Sequence, residues 1–159
     1  MITQRGRGFT LVELMITLAM VAILSVIALP GYTKMIKNNR LTTKANDFIL
    51  VLNLARSEAV KRGTSVTLTA NGGNWATGWT VRDASNQTLR IGDPLQGDMT
   101  LTSGNTNTII TYQVSGTATG NPTALPGNFD LCDDRTGETG RRISISVTGR
   151  ISVDDISCS

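Results

Sequence analysis

Residues 9–30 read FTLVELMITLAMVAILSVIALP, an apolar run interrupted by a single charge, Glu13. As a helix the run is roughly 33 Å long, enough to cross a hydrocarbon core. An acid inside such a segment costs on the order of 2.5–3.5 kcal/mol at mid-membrane and less near an interface. Ordinary secretory signals do not carry one there, and a plain anchor has no use for it. Glu13 is therefore a functional candidate before anything else is known about the chain.

The run is preceded by MITQRGRG, which is short, polar and basic, and is followed by Lys34, Lys37 and Arg40. Basic residues on both sides give little contrast for orientation by loop charge. The formal charge of +3 includes Arg5 and Arg7; without those two it is +1, so overall charge is no argument for nucleic-acid binding.

The segment Arg7-Gly8-Phe9-Thr10-Leu11-Val12-Glu13-Leu14 resembles the class III signal of type IV pilins and type II secretion pseudopilins. The leader length, Gly8 before the cut, Phe9 at the new N-terminus, Glu13 at its fifth position and Pro30 at its twenty-second all agree. The resemblance implies cleavage between Gly8 and Phe9 by a prepilin peptidase and N-methylation of Phe9. It implies residence in the bacterial inner membrane with the globular part periplasmic, then packing of the helix against other pilin subunits in a filament. Glu13 would pair with the freed amine of a neighbour's Phe9, offsetting two desolvation penalties and fixing the axial register.

Beyond Pro30 and Gly31, which mark an expected kink, the helical signal resumes. Leu41, Ala45, Phe48, Leu52, Ala55 and Ala59 recur in steps of four and three, a stripe suited to packing on a sheet. Between Lys34 and Arg62 stand seven basic residues and two acids, Asp47 and Glu58, so the opposite face is wet and positive. Gly63 is a natural stop, with Lys61 and Arg62 placed well in the last turn.

From Ser65 the period changes to two. Val66-Leu68-Ala70, Trp79-Val81, Leu89-Ile91, Met99-Leu101, Ile110-Tyr112-Val114, Phe129-Leu131, Ile143-Ile145-Val147 and Ile151-Val153 read as strands. Thr148-Gly149 reads as a two-residue hairpin turn. The expected fold is α+β: a long N-terminal helix packed on an antiparallel β domain of six to eight strands, the lollipop shape of a pilin. The expected organisation is a leader at 1–8, a membrane or filament-core helix half at 9–30, an amphipathic half at 31–63 and a β domain at 64–159.

A narrower resemblance, to the GspH/FimT branch of minor pilins, rests on Ala55 through Gly63 (ARSEAVKRG), on Trp75 and Gly78-Trp79, and on a late Cys, basic strand, Gly-Arg turn and terminal Cys. Packing in the core or a loop is the preferred role for both tryptophans. Cys132 and Cys158, in a chain with an export-type N-terminus, read as a disulfide formed outside the cytosol, the alternative being two buried thiols.

With no histidine in the chain there is no Ser-His or Cys-His dyad, and no Gly-rich phosphate loop opens a helix. Neither enzyme activity nor a cofactor is expected. Asp130, Asp133, Asp134, Asp154 and Asp155 would converge if the cysteines pair, as a Ca²⁺ site needs, but their spacing matches no calcium loop, and acids facing arginines are the preferred account. In FimT-like pilins that take up DNA, a Gly-Arg-x-Arg turn carries phosphate contacts. Here Gly149-Arg150-Ile151-Ser152 keeps the glycine and first arginine and puts Ser152 at the second. Arg141 and Arg142 on the partner strand are the candidates to compensate. The function expected is a minor pilin that helps initiate pilus assembly, with DNA binding for natural transformation as an added possibility; the alternative is the H-type minor pseudopilin of a type II secretion system.

Overall fold

The computed structural model describes residues 8–122 and 125–159; of the leader expected at 1–8, residues 1–7 lie outside them. The element order is α1 (Leu11–Arg62), β1 (Val66–Ala70), two short 3-10 turns, β2 (Trp79–Asp83), β3 (Thr88–Gly92), β4 (Thr100–Ser103), β5 (Ile109–Tyr112), β6 (Ala118–Asn121), β7 (Gly127–Cys132), β8 (Thr139–Ile145) and β9 (Ile151–Ser157). The chain divides into two compact units, 1–37 and 38–159.

In the first unit, every described side chain from Gly8 to Val26 is exposed. This stretch belongs to the one described helix long and apolar enough to cross a membrane. The helix assignment continues through Pro30 and Gly31.

In the second unit, Leu41, Ala45, Phe48, Leu52, Ala55 and Ala59 are all buried, as their spacing requires, and Val51 joins them. The helix ends where Gly63 takes the left-handed conformation, φ 64°. The strands form two antiparallel sheets, β3-β2-β1-β5-β6 and β4-β7-β8-β9. Both contribute to one core with the helical stripe. Phe48 sits against Trp75, Trp79 and Phe129 with ring centroids 5.0–5.7 Å apart. Trp75 and Trp79 are thus core residues, each 3% exposed.

Among the described residues there are nine strands rather than six to eight. The one without a sequence signal is β6: Ala118-Thr119-Gly120-Asn121 has no apolar alternation and is held by its pairing with β5. Val114 and Val147 continue the alternation of their strands in sequence but are half exposed. Both fall in turns, closed by Gln113 N–H to the Thr117 carbonyl and Ser146 N–H to the Arg150 carbonyl. The second of these corrects the two-residue hairpin. Gly149 N–H bonds the Ser146 carbonyl and Gly149 has φ 76°, which makes a type I turn followed by a left-handed glycine spanning Ser146–Arg150.

Candidate functional site

At the start of α1, the Thr10 carbonyl accepts the first helical bond, from Leu14 N–H at 3.1 Å. Thr10 Oγ1 accepts from Glu13 N–H at 3.2 Å, and Glu13 Oε2 lies 3.4 Å from Thr10 N–H as its acceptor. The two residues form a reciprocal capping box, in which the carboxylate also lies at the positive end of the helix dipole. Glu13 therefore has an internal partner that spacing alone had not brought out, although Thr-x-x-Glu is a readable signal. Phe9 is 84% exposed and Gly8 has open space around it. A row of large apolar side chains from Phe9 to Val26 faces outward. Such a surface requires lipid or other protein.

Cys132 and Cys158 are joined in a disulfide whose Cα atoms are 5.8 Å apart. It ties the end of β7 to the residue after β9, with Gly140 of β8 packed against both sulfurs. Three of the five acids near it are engaged with arginines. Asp130 accepts two bonds from Arg142, Asp133 accepts from Arg135 Nε and Nη2, and Asp155 pairs with Arg141 across the β8–β9 ladder. Among the described residues no cluster of acids is arranged to hold a metal.

This arrangement splits the candidate phosphate contacts. Arg141 and Arg142 lie toward the far end of the β8–β9 ladder from Arg150, opposite Asp155 and Asp154, and are paired with Asp155 and Asp130. The carboxylate partner raises the Arg142 pKa further above its ordinary value, first through its hydrogen bonds and then through charge. Arg150 is exposed and has no ion pair among the described residues. It borders an open groove of about 440 Å³ with Asn128, Ser144, Ser146 and Ser152. Of the three candidate arginines, Arg150 alone has no ion pair among the described residues.

The segment Arg56–Gly63 is explained by structure. Arg56 sends Nε to the Gly116 carbonyl and Nη2 to the Thr148 carbonyl, both at 3.0 Å. It thereby clamps the β5–β6 turn to the β8–β9 turn, one from each sheet. A Cβ on Gly149 would overlap the Gly116 carbonyl, so glycine is required there by space as well as by φ. Arg62 bonds Glu58 and Asp83, and that hydrogen bond holds the Glu58 carboxyl below its usual range.

Residues 44–149 match the family described as type II transport protein GspH, and residues 3–29 match the prokaryotic N-terminal methylation motif. No curated protein sequence matches the chain. Two crystal forms of the type IV minor pilin FimU of Pseudomonas aeruginosa share the fold. One is 27% identical with a TM-score of 0.65, covering 77% of this chain and 98% of that one. The other is 26% identical with a TM-score of 0.59, covering 74% and 99%.

Proposed function

The chain belongs to the GspH family of type IV pilin-like proteins, and we propose that it is a minor pilin that helps initiate assembly of a type IV pilus. Prepilin peptidase cuts between Gly8 and Phe9, Phe9 is N-methylated, and the helix at 9–30 waits in the inner membrane with the β domain in the periplasm. It then enters the filament core. The observation that carries this reading is the exposed apolar face of 9–26 with one acid in its first turn. Such a face is stable in lipid before assembly and against other helices after it.

Cap formation by Thr10 does not consume the negative charge of Glu13. The carboxylate remains an ion in an apolar setting, and the methylated amine of a neighbouring subunit's Phe9 offsets it. The test is Glu13→Ala in the native host: leader loss proceeds, and incorporation into sheared filaments falls by at least about tenfold, the loss of about 1.4 kcal/mol or more. Normal incorporation overturns the pairing role.

Two observations favour different systems. The family description points to type II secretion, as its H-type pseudopilin, whereas the likeness to FimU points to the pilus. We take the pilus reading because the FimU likeness extends over almost all of that chain at 27% identity. Deletion separates them: loss of twitching with intact exoprotein secretion supports the pilin, and the reverse supports the pseudopilin. DNA capture is a secondary reading that rests on Arg150 alone.

A further inference from the structure

Residues 38–43 of α1 read Asn-Asn-Arg-Leu-Thr-Thr. Asparagine and threonine are poor helix formers, the first because it bonds nearby backbone outside helices, the second because it is branched at Cβ. Both threonines turn their hydroxyls back on the helix. Thr42 Oγ1 donates to the Asn38 carbonyl at 3.0 Å and Thr43 Oγ1 to the Asn39 carbonyl at 2.9 Å. Back-bonds of this kind weaken a helix and bend it. Packing adds little here, since Leu41 is the one buried residue between 38 and 44, whereas buried side chains recur from Ala45 to Ala59. The segment where the second compact unit begins is therefore its softest stretch of helix.

A loop 97 residues further along the chain reaches this segment: Arg135 Nη2 donates to Asn38 Oδ1 at 2.8 Å. Asp133 aims the guanidinium, accepting from Nε at 2.9 Å, from Nη2 at 2.6 Å and from the Arg135 backbone N–H at 3.1 Å. Cys158 closes the loop at both ends. Its sulfur is bonded to Cys132, its N–H donates to the Glu138 carbonyl at 2.9 Å, and its carbonyl accepts from Gly137 N–H at 2.7 Å. Without the disulfide, the Cys132 end would keep only its pairing with Thr100 of β4.

We infer that residues 38–43 form a hinge in α1 and that Arg135 is its latch, held in reach of Asn38 by the disulfide. Latched, the segment continues the helix. Released, it frays while the helix from Ala45 onward stays docked on the sheets. Arg135 is a positioning residue, acting through Asn38 on the backbone around it. The latch works within one chain, so it stands apart from the filament reading.

Amide hydrogen exchange of the full chain in detergent micelles, read by mass spectrometry, tests it. Arg135→Ala is expected to speed exchange across residues 38–45 about tenfold and to leave residues 51–59 within about twofold. Replacing Thr42 and Thr43 by alanine in the same background restores protection, because alanine strengthens the helix and removes the back-bonds. Cys132→Ser with Cys158→Ser speeds exchange across 38–45 at least as much, and adding Arg135→Ala changes it by less than about twofold more. Unchanged exchange at 38–45 in Arg135→Ala, or an equal rise at 51–59, overturns the hinge and its latch. A further rise of about tenfold when Arg135→Ala is added to the serine variant overturns the dependence on the disulfide.

Discussion

Arg142 grips Asp130 through two parallel hydrogen bonds, each 2.7 Å long, from Nε and Nη2 to the two carboxylate oxygens. Fork-to-fork pairs of this kind are geometrically specific, and an arginine so held presents little charge to a phosphate. With Arg141 paired to Asp155, Arg150 is the one of these three arginines without a carboxylate partner among the described residues.

Duplex DNA should therefore bind residues 38–159 weakly, with a log-log salt slope of about −1. Arg150→Ala is expected to abolish that binding. Asp130→Asn releases Arg142 and is expected to strengthen binding about three- to tenfold at low salt, with a slope nearer −2. Filter binding across a salt series reads all three. A wild-type slope of about −3 or steeper would show that the paired arginines reach phosphate after all.

Arg56 predicts a stability effect that separates length and shape from charge. Its guanidinium spans two turn carbonyls from different sheets. Arg56→Ala should cost about 2–3 kcal/mol in urea unfolding, two charge-assisted bonds to carbonyls that partly regain water. Arg56→Lys keeps the charge, but its single ammonium is a point donor and recovers less than half of that loss. Equal stability of the lysine variant and the wild type would mean that charge alone accounts for the residue.

Much of this architecture is legible in the sequence. The helix stripe from Leu41 to Ala59, the stop at Gly63 and the buried alternation of β1, β5, β7 and β8 follow from where apolar residues recur, because burial acts on every one of those positions. Legibility failed where backbone pairing, rather than side-chain burial, sets the structure. β6 has only Ala118 to bury, and Val114 and Val147 keep a strand's rhythm inside turns. Asn107 was invisible for the opposite reason. It is 1% exposed, and its side-chain amide donates to the Leu125 carbonyl at 2.6 Å while its own carbonyl accepts from Trp75, partners up to 32 residues distant that no local pattern announces. At the candidate site the arginines were legible and their neutralisation was not, since the pairing of Arg142 with Asp130 depends on β7–β8 register.

The disulfide should contribute about 3–4 kcal/mol by restricting a loop of roughly 27 residues in the unfolded chain. Cys132→Ser with Cys158→Ser is expected to lower stability by that amount in chemical unfolding. Gly140→Ala is a finer probe, since its Cβ would overlap the bonded sulfurs. It should retard oxidation of the pair, read by thiol labelling during refolding. Unimpaired oxidation in that variant would show that β8 can shift to make room.

Tyr112 gives the pH dependence. Burial pushes its pKa up to about 12, opposed in part by the nearby charge of Arg56, and its hydroxyl is buried without a partner. The unfolded value is about 10, so the tyrosine's contribution is fully present below pH ~10 and is lost as pH rises toward the folded value. The slope between them is about 1.4 kcal/mol per pH unit, or up to roughly 3 kcal/mol in all. Tyr112→Phe removes that slope and should raise stability at neutral pH by about 1–3 kcal/mol, because it removes a buried hydroxyl without a partner and no hydrogen bond is lost. Identical alkaline profiles for the two proteins would show that other groups govern the loss.

Glu13 caps α1, the proposed pairing with a neighbour's amine would be a second contribution, and Glu13→Gln distinguishes the two. The capping box needs an oxygen acceptor at the third helical position, which glutamine supplies as well as glutamate does. Compensation of a neighbour's terminal amine needs a negative charge, which glutamine lacks. The cap would survive the proposed cut after Gly8, since Thr10 would then be the second residue and keep its amide hydrogen. If capping were the whole role, Glu13→Gln would assemble normally and Glu13→Ala would fail. If charge pairing governs, both variants lose their leader, both stay in the membrane, and both are depleted from filaments. We expect the second result, because a cap is worth about 1 kcal/mol to a helix that the bilayer already stabilises, whereas an unpaired amine in an apolar filament core costs several. Quantitative immunoblotting of sheared filaments against membranes, for the two variants side by side, decides between them.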